Sequence, residues 1–146
     1  MNNLKSITLS RILALDIGTK RTGIAVTDEL QIIASGLKTI ETKSIFKWLT
    51  NYFKDENVSC IVVGEPKQMN NKPSESAAFI NTVVEKLKTT FSNIDIHRVD
   101  ERFTSKMAFQ SMLDGGLKKK QRQNKALIDE ISATLILQNF LSSKHN

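Results

Sequence analysis

The stretch LALDIGTKRTGIAVTD, residues 13–28, constrains the fold more than any other. Two apolar runs, RILALDI and GIAVTD, flank the short connection GTKRT, which predicts two neighbouring strands joined by a tight turn. The first run ends with a carboxylate, Asp16. Side chains alternate along a strand, so Ile12, Ala14 and Asp16 share one face and Leu13, Leu15 and Ile17 share the other. An ionised carboxylate buried without a partner is expensive. Asp16 therefore requires a turn amide, a basic residue or a metal ion. Gly18, two residues on, accepts turn conformations closed to most residues.

The rest of the chain alternates strand and helix patterns. QIIASGLKTI reads as a third strand, with Gly36 marking a bulge. Residues 43–55 place Ile45, Trp48, Leu49, Tyr52 and Phe53 at helical spacing. VSCIVVG reads as a buried strand, followed by the polar loop EPKQMNNKP. A helix is expected from Ser74, as its cap, to about residue 90, with Glu75 suiting the positive end of its dipole. IDIHRVDE reads as a fifth strand and SKMAFQSMLD as a helix stopped by Gly115 and Gly116. Residues 125–141 form a last helix, with Ile128, Ile131 and Leu135 as its core stripe. The order βββ-α-β-α-β-α-α predicts an α/β fold. One mixed five-stranded sheet, three antiparallel strands then parallel ones, is flanked by helices. A single domain over residues 11–141 follows, with a short lead-in at 1–10 and a tail at 142–146.

Composition narrows the function classes. A chain of 146 residues suffices for one domain with a hydrophobic core. The sequence has no apolar stretch of membrane-spanning length and no signal-peptide run, so the cytoplasm is the expected compartment. The one cysteine, Cys60, lies inside a core strand and reads as a small buried apolar residue. A net charge of +6 points to a polyanionic partner.

Three acidic positions are the candidates for chemistry. Asp16 is the first. Asp100 and Glu101 are adjacent at a strand end, so one faces a cleft while the other pairs locally. Asp129 shares a face of the last helix with Lys125, Ser132 and Ala133. Small residues beside it let the helix approach the sheet. Carboxylates converging from a first strand, a late strand end and a final helix suit hard divalent cations such as Mg2+ or Mn2+. Two such ions activate water and stabilise the leaving oxygen in phosphodiester hydrolysis. Lys118, Lys119, Lys120, Arg122 and Lys125 form a basic run beside this centre, suited to nucleic-acid phosphates. With no aromatic-rich stripe, backbone contacts are expected to outweigh base readout.

At these residues the chain resembles the bacterial YqgF (RuvX) family, relatives of the RuvC-type Holliday junction resolvases in the RNase H-like superfamily. The resemblance rests on RILALDIGTKRTGIAVTD, IVVGEP, VDERFTS and LIDEISATLILQNFL, in the family's order and spacing, over residues 11–141. It implies an RNase H-like fold and a metal-dependent nuclease. It further implies a task in 5′-end processing of pre-16S rRNA during ribosome biogenesis. By position it implies Asp16, Glu101 and Asp129 as catalytic, metal-binding residues, and Lys20, Arg21, Arg102 and Lys125 as the recurrent basic positions. Two departures stand out. Glu65 replaces the leucine usual after the fourth-strand glycine, and reads either as a further metal ligand or as a loop charge. Asn70-Asn71 stands where the family loop has a glycine, a turn that asparagine tolerates.

Rival readings differ in class. The same chemistry resolves four-way DNA junctions, which favours a symmetric dimer; the sequence leaves monomer and dimer open. A non-catalytic RNA-binding ribosome-assembly factor is a second alternative. LDIGTKRTGIAVTD also resembles the phosphate-binding hairpin of sugar-kinase and actin-like ATPases, but those are longer, two-lobed proteins.

Overall fold

The structure is a computed structural model and describes residues 9–65, 76–101, 114–116 and 124–144. In chain order come β1 (Arg11–Ile17), β2 (Arg21–Thr27), β3 (Ala34–Glu41), a 3-10 turn (Thr42–Ser44), α1 (Ile45–Asp55), β4 (Val58–Glu65), α2 (Ala77–Thr90), β5 (Asp95–Asp100) and α3 (Lys125–Lys144). The strands form one sheet in the order β3-β2-β1-β4-β5. β1 pairs antiparallel with β2, and β2 with β3. β1 pairs parallel with β4, and β4 with β5. The expected mixed sheet is therefore present. The helix read at 105–114 lies outside the described residues except Asp114, which ends at the Gly115–Gly116 turn.

β1 occupies the centre of the sheet and is covered on both faces, as its near-continuous apolar sequence requires. Leu13, Leu15 and Ile17 pack with Ile45 and Leu49 of α1 and Ile80, Val84 and Leu87 of α2. Ile12 and Ala14 pack on the opposite face with Ala133, Ile136, Leu137 and Leu141 of α3. The predicted alternation thus divides the core into two halves, and it turns Asp16 toward α3.

Several boundaries differ from the sequence reading for local reasons. β3 begins at Ala34, not Gln31, because the Asp28 carboxylate accepts hydrogen bonds from the backbone N–H groups of Leu30, Ile32 and Ile33 at 2.7–3.0 Å. That side-chain turn takes the place of strand pairing. The β2–β3 register shifts so that Ala25 faces Gly36 and Ile24 faces Lys38, leaving Leu37 as the extra residue of a bulge beside Gly36. Ser76, not Ser74, stands at the N-cap of α2; Ser74 and Glu75 lie outside the described residues. On α3 the buried stripe is Ser132, Ala133, Ile136, Leu137 and Leu141, one position on from the expected Ile128, Ile131 and Leu135. Asp129 stands three and four residues before Ser132 and Ala133, so it continues the sheet-facing side of the helix. α3 also runs on to Lys144, past the expected end at 141.

Candidate active site

Asp16 lies between two glycines. Its antiparallel partner on β2 is Gly23. On β4 the register Leu15↔Val63 places Gly64 beside it, one step further on. Each glycine removes a side chain where another carboxylate-bearing segment comes close. A methyl group on Gly23 would run into the backbone carbonyl of Asp129 and come within 3.0 Å of its Cβ. A methyl group on Gly64 would meet the Glu101 carboxylate and lie 2.7 Å from Ile136 Cδ1. The bare backbone thus lets α3 settle on β2 at Asp129 and lets Glu101 reach across β4.

Three segments deliver the acidic side chains. β5 ends at Asp100, and the Glu101 N–H donates to the Glu65 carbonyl at 3.1 Å, carrying the pairing one residue further. This fixes Glu101 on the face that Gly64 leaves open. α3 starts where Asn124 caps it, its side-chain oxygen accepting the Leu127 N–H at 3.2 Å. Asp129 follows within the next turn. Asp16 and Glu101 are hydrogen-bonded to each other through their side chains. Asp129 is close enough for its charge to act on Asp16. Its own carboxylate accepts from the Arg21 Nε at 2.9 Å, across 108 residues of chain. The partner of Asp129 is thus Arg21 of β2, although Lys125 lies on its own helix face.

Asp16, Asp129 and the turn Gly18–Arg21 line a cleft of about 280 Å3. The turn is braced from behind. The Gly18 N–H donates to the Arg21 carbonyl at 2.8 Å. Thr42 donates its hydroxyl to the Gly18 carbonyl at 2.7 Å and its N–H to the Lys20 carbonyl at 2.9 Å. The buried hydroxyls of Thr22 and Thr42 meet at 2.9 Å. Lys20 is exposed at this rim, and the Arg21 side chain is 41% exposed despite its ion pair.

Burial pushes both paired carboxyls upward, Asp16 to about 6 and Glu101 to about 9. The Asp16 charge raises Glu101 further, and Arg98 partly offsets this. The pair holds one proton where two ordinary carboxyls would hold none, with Glu101 donating and Asp16 accepting. A donor set made only of carboxylate oxygens fits a hard divalent cation in place of that proton. Among the described residues no group of three or more His, Cys, Asp or Glu side chains is placed to hold a metal ion. Mg2+ needs none, since it binds through one or two carboxylates and completes its shell with water and substrate phosphate.

This pair sets a pH dependence. Above the ordinary carboxylate range the unfolded chain has released both protons while the folded chain still holds one. Stability therefore falls as pH rises through that window toward about 9. The metal-free protein is expected to lose thermal stability over this range in calorimetry with chelator, and Glu101→Gln is expected to flatten the slope. An unchanged slope in Glu101→Gln would remove the shared proton from the account.

The other candidates fall elsewhere. Gly64 faces α3, so alternation turns Glu65 to the opposite face of β4, away from Asp16. Asp100 likewise faces away from Glu101. Lys125 is exposed at the first residue of α3. Arg102, Lys118, Lys119, Lys120 and Arg122 lie outside the described residues, as do Asn70 and Asn71. Cys60 is buried, and burial pushes its thiol up to about 11, which leaves it without thiolate character. His97 packs against Phe140, ring centres 5.2 Å apart. Sequence reasoning missed Gly23 and Gly64. Their signal was a glycine inside each strand that flanks the acidic one.

The RuvX family, described as a Holliday junction resolvase, matches residues 10–143. The chain belongs to the RuvX family. It is 62% identical over 136 residues to a protein of Flavobacterium johnsoniae named "Putative pre-16S rRNA nuclease", a match that covers 93% of this chain and 99% of that one. A Phocaeicola vulgatus protein of the same name is 57% identical, with 93% and 98% covered. Among solved structures, "T. thermophilus RuvC in complex with Holliday junction substrate" superposes with a TM-score of 0.55 at 15% identity, over 94% of this chain and 96% of that one. The architecture of this RuvX chain is thus the RNase H-like fold. Among the described residues no helix is long and apolar enough to cross a membrane.

Proposed function

We propose that this chain is a metal-dependent nuclease of structured RNA, with 5′-end processing of pre-16S rRNA as its task in the cytoplasm. The observation that carries the reading is the half-buried Asp16–Glu101 pair, opened by two glycines and flanked by Asp129. The naming of relatives more than half identical in sequence points to the RNA substrate. One domain over residues 11–141 carries the site.

Asp16 and Glu101 would hold Mg2+ or Mn2+, and Asp129 would complete the acidic set, with two ions as the expected complement. A bound ion supplies Lewis-acid activation of water and neutralises charge on the leaving oxygen. The chain's own residues do the rest. The central strand fixes Asp16, since β1 is packed on both faces. Arg21 holds Asp129, and its part-exposed guanidinium would meet a phosphate in this reading. Lys20 adds charge at the same rim, and Lys125 adds it at the head of α3. Arg102 and the run Lys118, Lys119, Lys120 and Arg122 supply further phosphate contacts in this reading. Glu65 takes no part.

The family description favours a second reading, cleavage of four-way DNA junctions. A pre-16S rRNA fragment and a four-way DNA junction, each labelled at its 5′ end, separate the two. The RNA is expected to shorten with Mg2+ or Mn2+ and stay intact with chelator, while the junction stays whole. Cutting of the junction alone would install the second reading. Binding of RNA with no cutting under any metal would leave a non-catalytic assembly factor.

A further inference from the structure

The Gly18–Arg21 turn has a second side. Thr19 lines the acidic cleft on one side and, on the other, a groove of about 340 Å3 walled by Thr42, Lys43, Phe46, Phe79 and Lys86. That volume lies in the range of small-ligand sites. Phe79 is 39% exposed and is the one aromatic among the exposed large apolar side chains of the described residues. It stands on α2 next to the buried Ile80, so the helix does not need it for its packing. The Lys86 ammonium lies 4.5 Å from the centre of the Phe46 ring. Lys43 is 82% exposed and carries an ion pair with Glu41 at 3.2 Å. Lys20 follows Thr19 on the turn. One exposed π-face, Phe79, framed by lysine side chains, with Glu41 the only acid ion-paired to them among the described residues, matches a base and its phosphates better than a neutral ligand.

We propose that this groove holds an unpaired stretch of the RNA that enters the acidic cleft, one base lying on Phe79 and its flanking phosphates meeting Lys43 and Lys86. The proposal rests on the nuclease reading above and names where its substrate strand runs. The strand passes over the Thr19 turn, so the groove tethers unpaired RNA beside the acidic centre. Stacking does not choose among bases, so this subsite recognises strandedness and not sequence. Such a subsite agrees with the sequence expectation of backbone contact over base readout.

The test measures affinity with the full chain, metal chelated so that nothing is cut. Two labelled RNA hairpins are used, one blunt and one with a short single-stranded extension. The extended hairpin is expected to bind about tenfold tighter. Phe79→Ala should erase that preference without weakening the blunt hairpin or lowering the thermal midpoint, and Phe79→Trp should keep it. Lys43→Ala and Lys86→Ala should each reduce the salt slope for the extended hairpin by about 0.7. Equal loss on both hairpins, or no loss in Phe79→Ala, overturns the subsite. The nuclease reading fails separately. A wild type that prefers the extension through Phe79 yet cuts neither hairpin with Mg2+ or Mn2+ keeps the groove and loses the chemistry. A wild type that cuts with Phe79→Ala affinity unchanged does the reverse.

Discussion

Asp16→Asn is expected to slow RNA cleavage by about 10²–10³-fold or more while leaving RNA affinity nearly unchanged and raising the thermal midpoint of the metal-free protein. The rate loss follows from the place of Asp16 on a strand packed from both faces, where no neighbour can move in to replace it. Removing one preorganised electrostatic group from an active site has that order of effect. The affinity is spared because the phosphate-facing charges, Arg21 and Lys20, lie on the rim and not at position 16. The gain in stability follows from the raised carboxyls. Burial opposes the charge on Asp16, and that charge opposes ionisation of Glu101. An asparagine keeps the shape, can still meet Glu101, and brings no charge. Sites that trade stability for chemistry commonly gain stability when the chemistry is removed. Cleavage assays, anisotropy and calorimetry on the same preparation check the three parts. A variant that cuts at the wild-type rate, or that melts earlier without metal, contradicts this account of Asp16.

The second large effect is expected at the flanking glycines. Gly23→Ala forces a methyl group into the Asp129 carbonyl, a backbone atom that moves only if α3 moves. A destabilisation of about 1–3 kcal/mol or more is expected, with loss of cleavage as Asp129 is displaced. Gly64→Ala meets the Glu101 carboxylate and Ile136 Cδ1, so it should disturb the acidic pair more than the fold. Gly36→Ala provides the internal comparison. Its methyl group would lie 3.2 Å from the Thr134 Oγ1 and 3.5 Å from Glu130 Cβ, contacts that a small shift relieves. Denaturant unfolding should rank Gly23→Ala as clearly the most damaging of the two α3-facing changes in β2 and β3. If Gly23→Ala and Gly36→Ala unfold alike, close seating of α3 at Asp129 is not what Gly23 provides.

Much of the scaffold was readable from residue types because β1 obeys simple rules. Its apolar run sets its bounds, and period-two alternation assigns Leu13 and Leu15 to one half of the core and Ala14 and Asp16 to the other. Alternation separated Glu101 from Asp100 without choosing between them, and the choice of Glu101 came only from the family resemblance. The Arg21–Asp129 pair was not, because its partners are 108 residues apart and no local pattern links them. The roles of Gly23 and Gly64 needed the strand register, which one sequence does not contain. The buried stripe of α3 was misplaced by one position because that helix is apolar around much of its circumference, so periodicity alone did not choose the face. Asp28 shortened β3 by a local hydrogen-bonding device that competes with strand pairing and leaves little trace in hydrophobicity.

Helix α3 seals one half of the core through Ile136, Leu137 and Leu141 and, one end further up, presents Asp129. Among the described elements it comes last along the chain. A growing chain can complete β1 to β5 and the α1–α2 side before this helix exists. The docking of α3 that closes this half of the core is thus also what brings Asp129 to Asp16, and without it Asp16 and Glu101 lack their third companion.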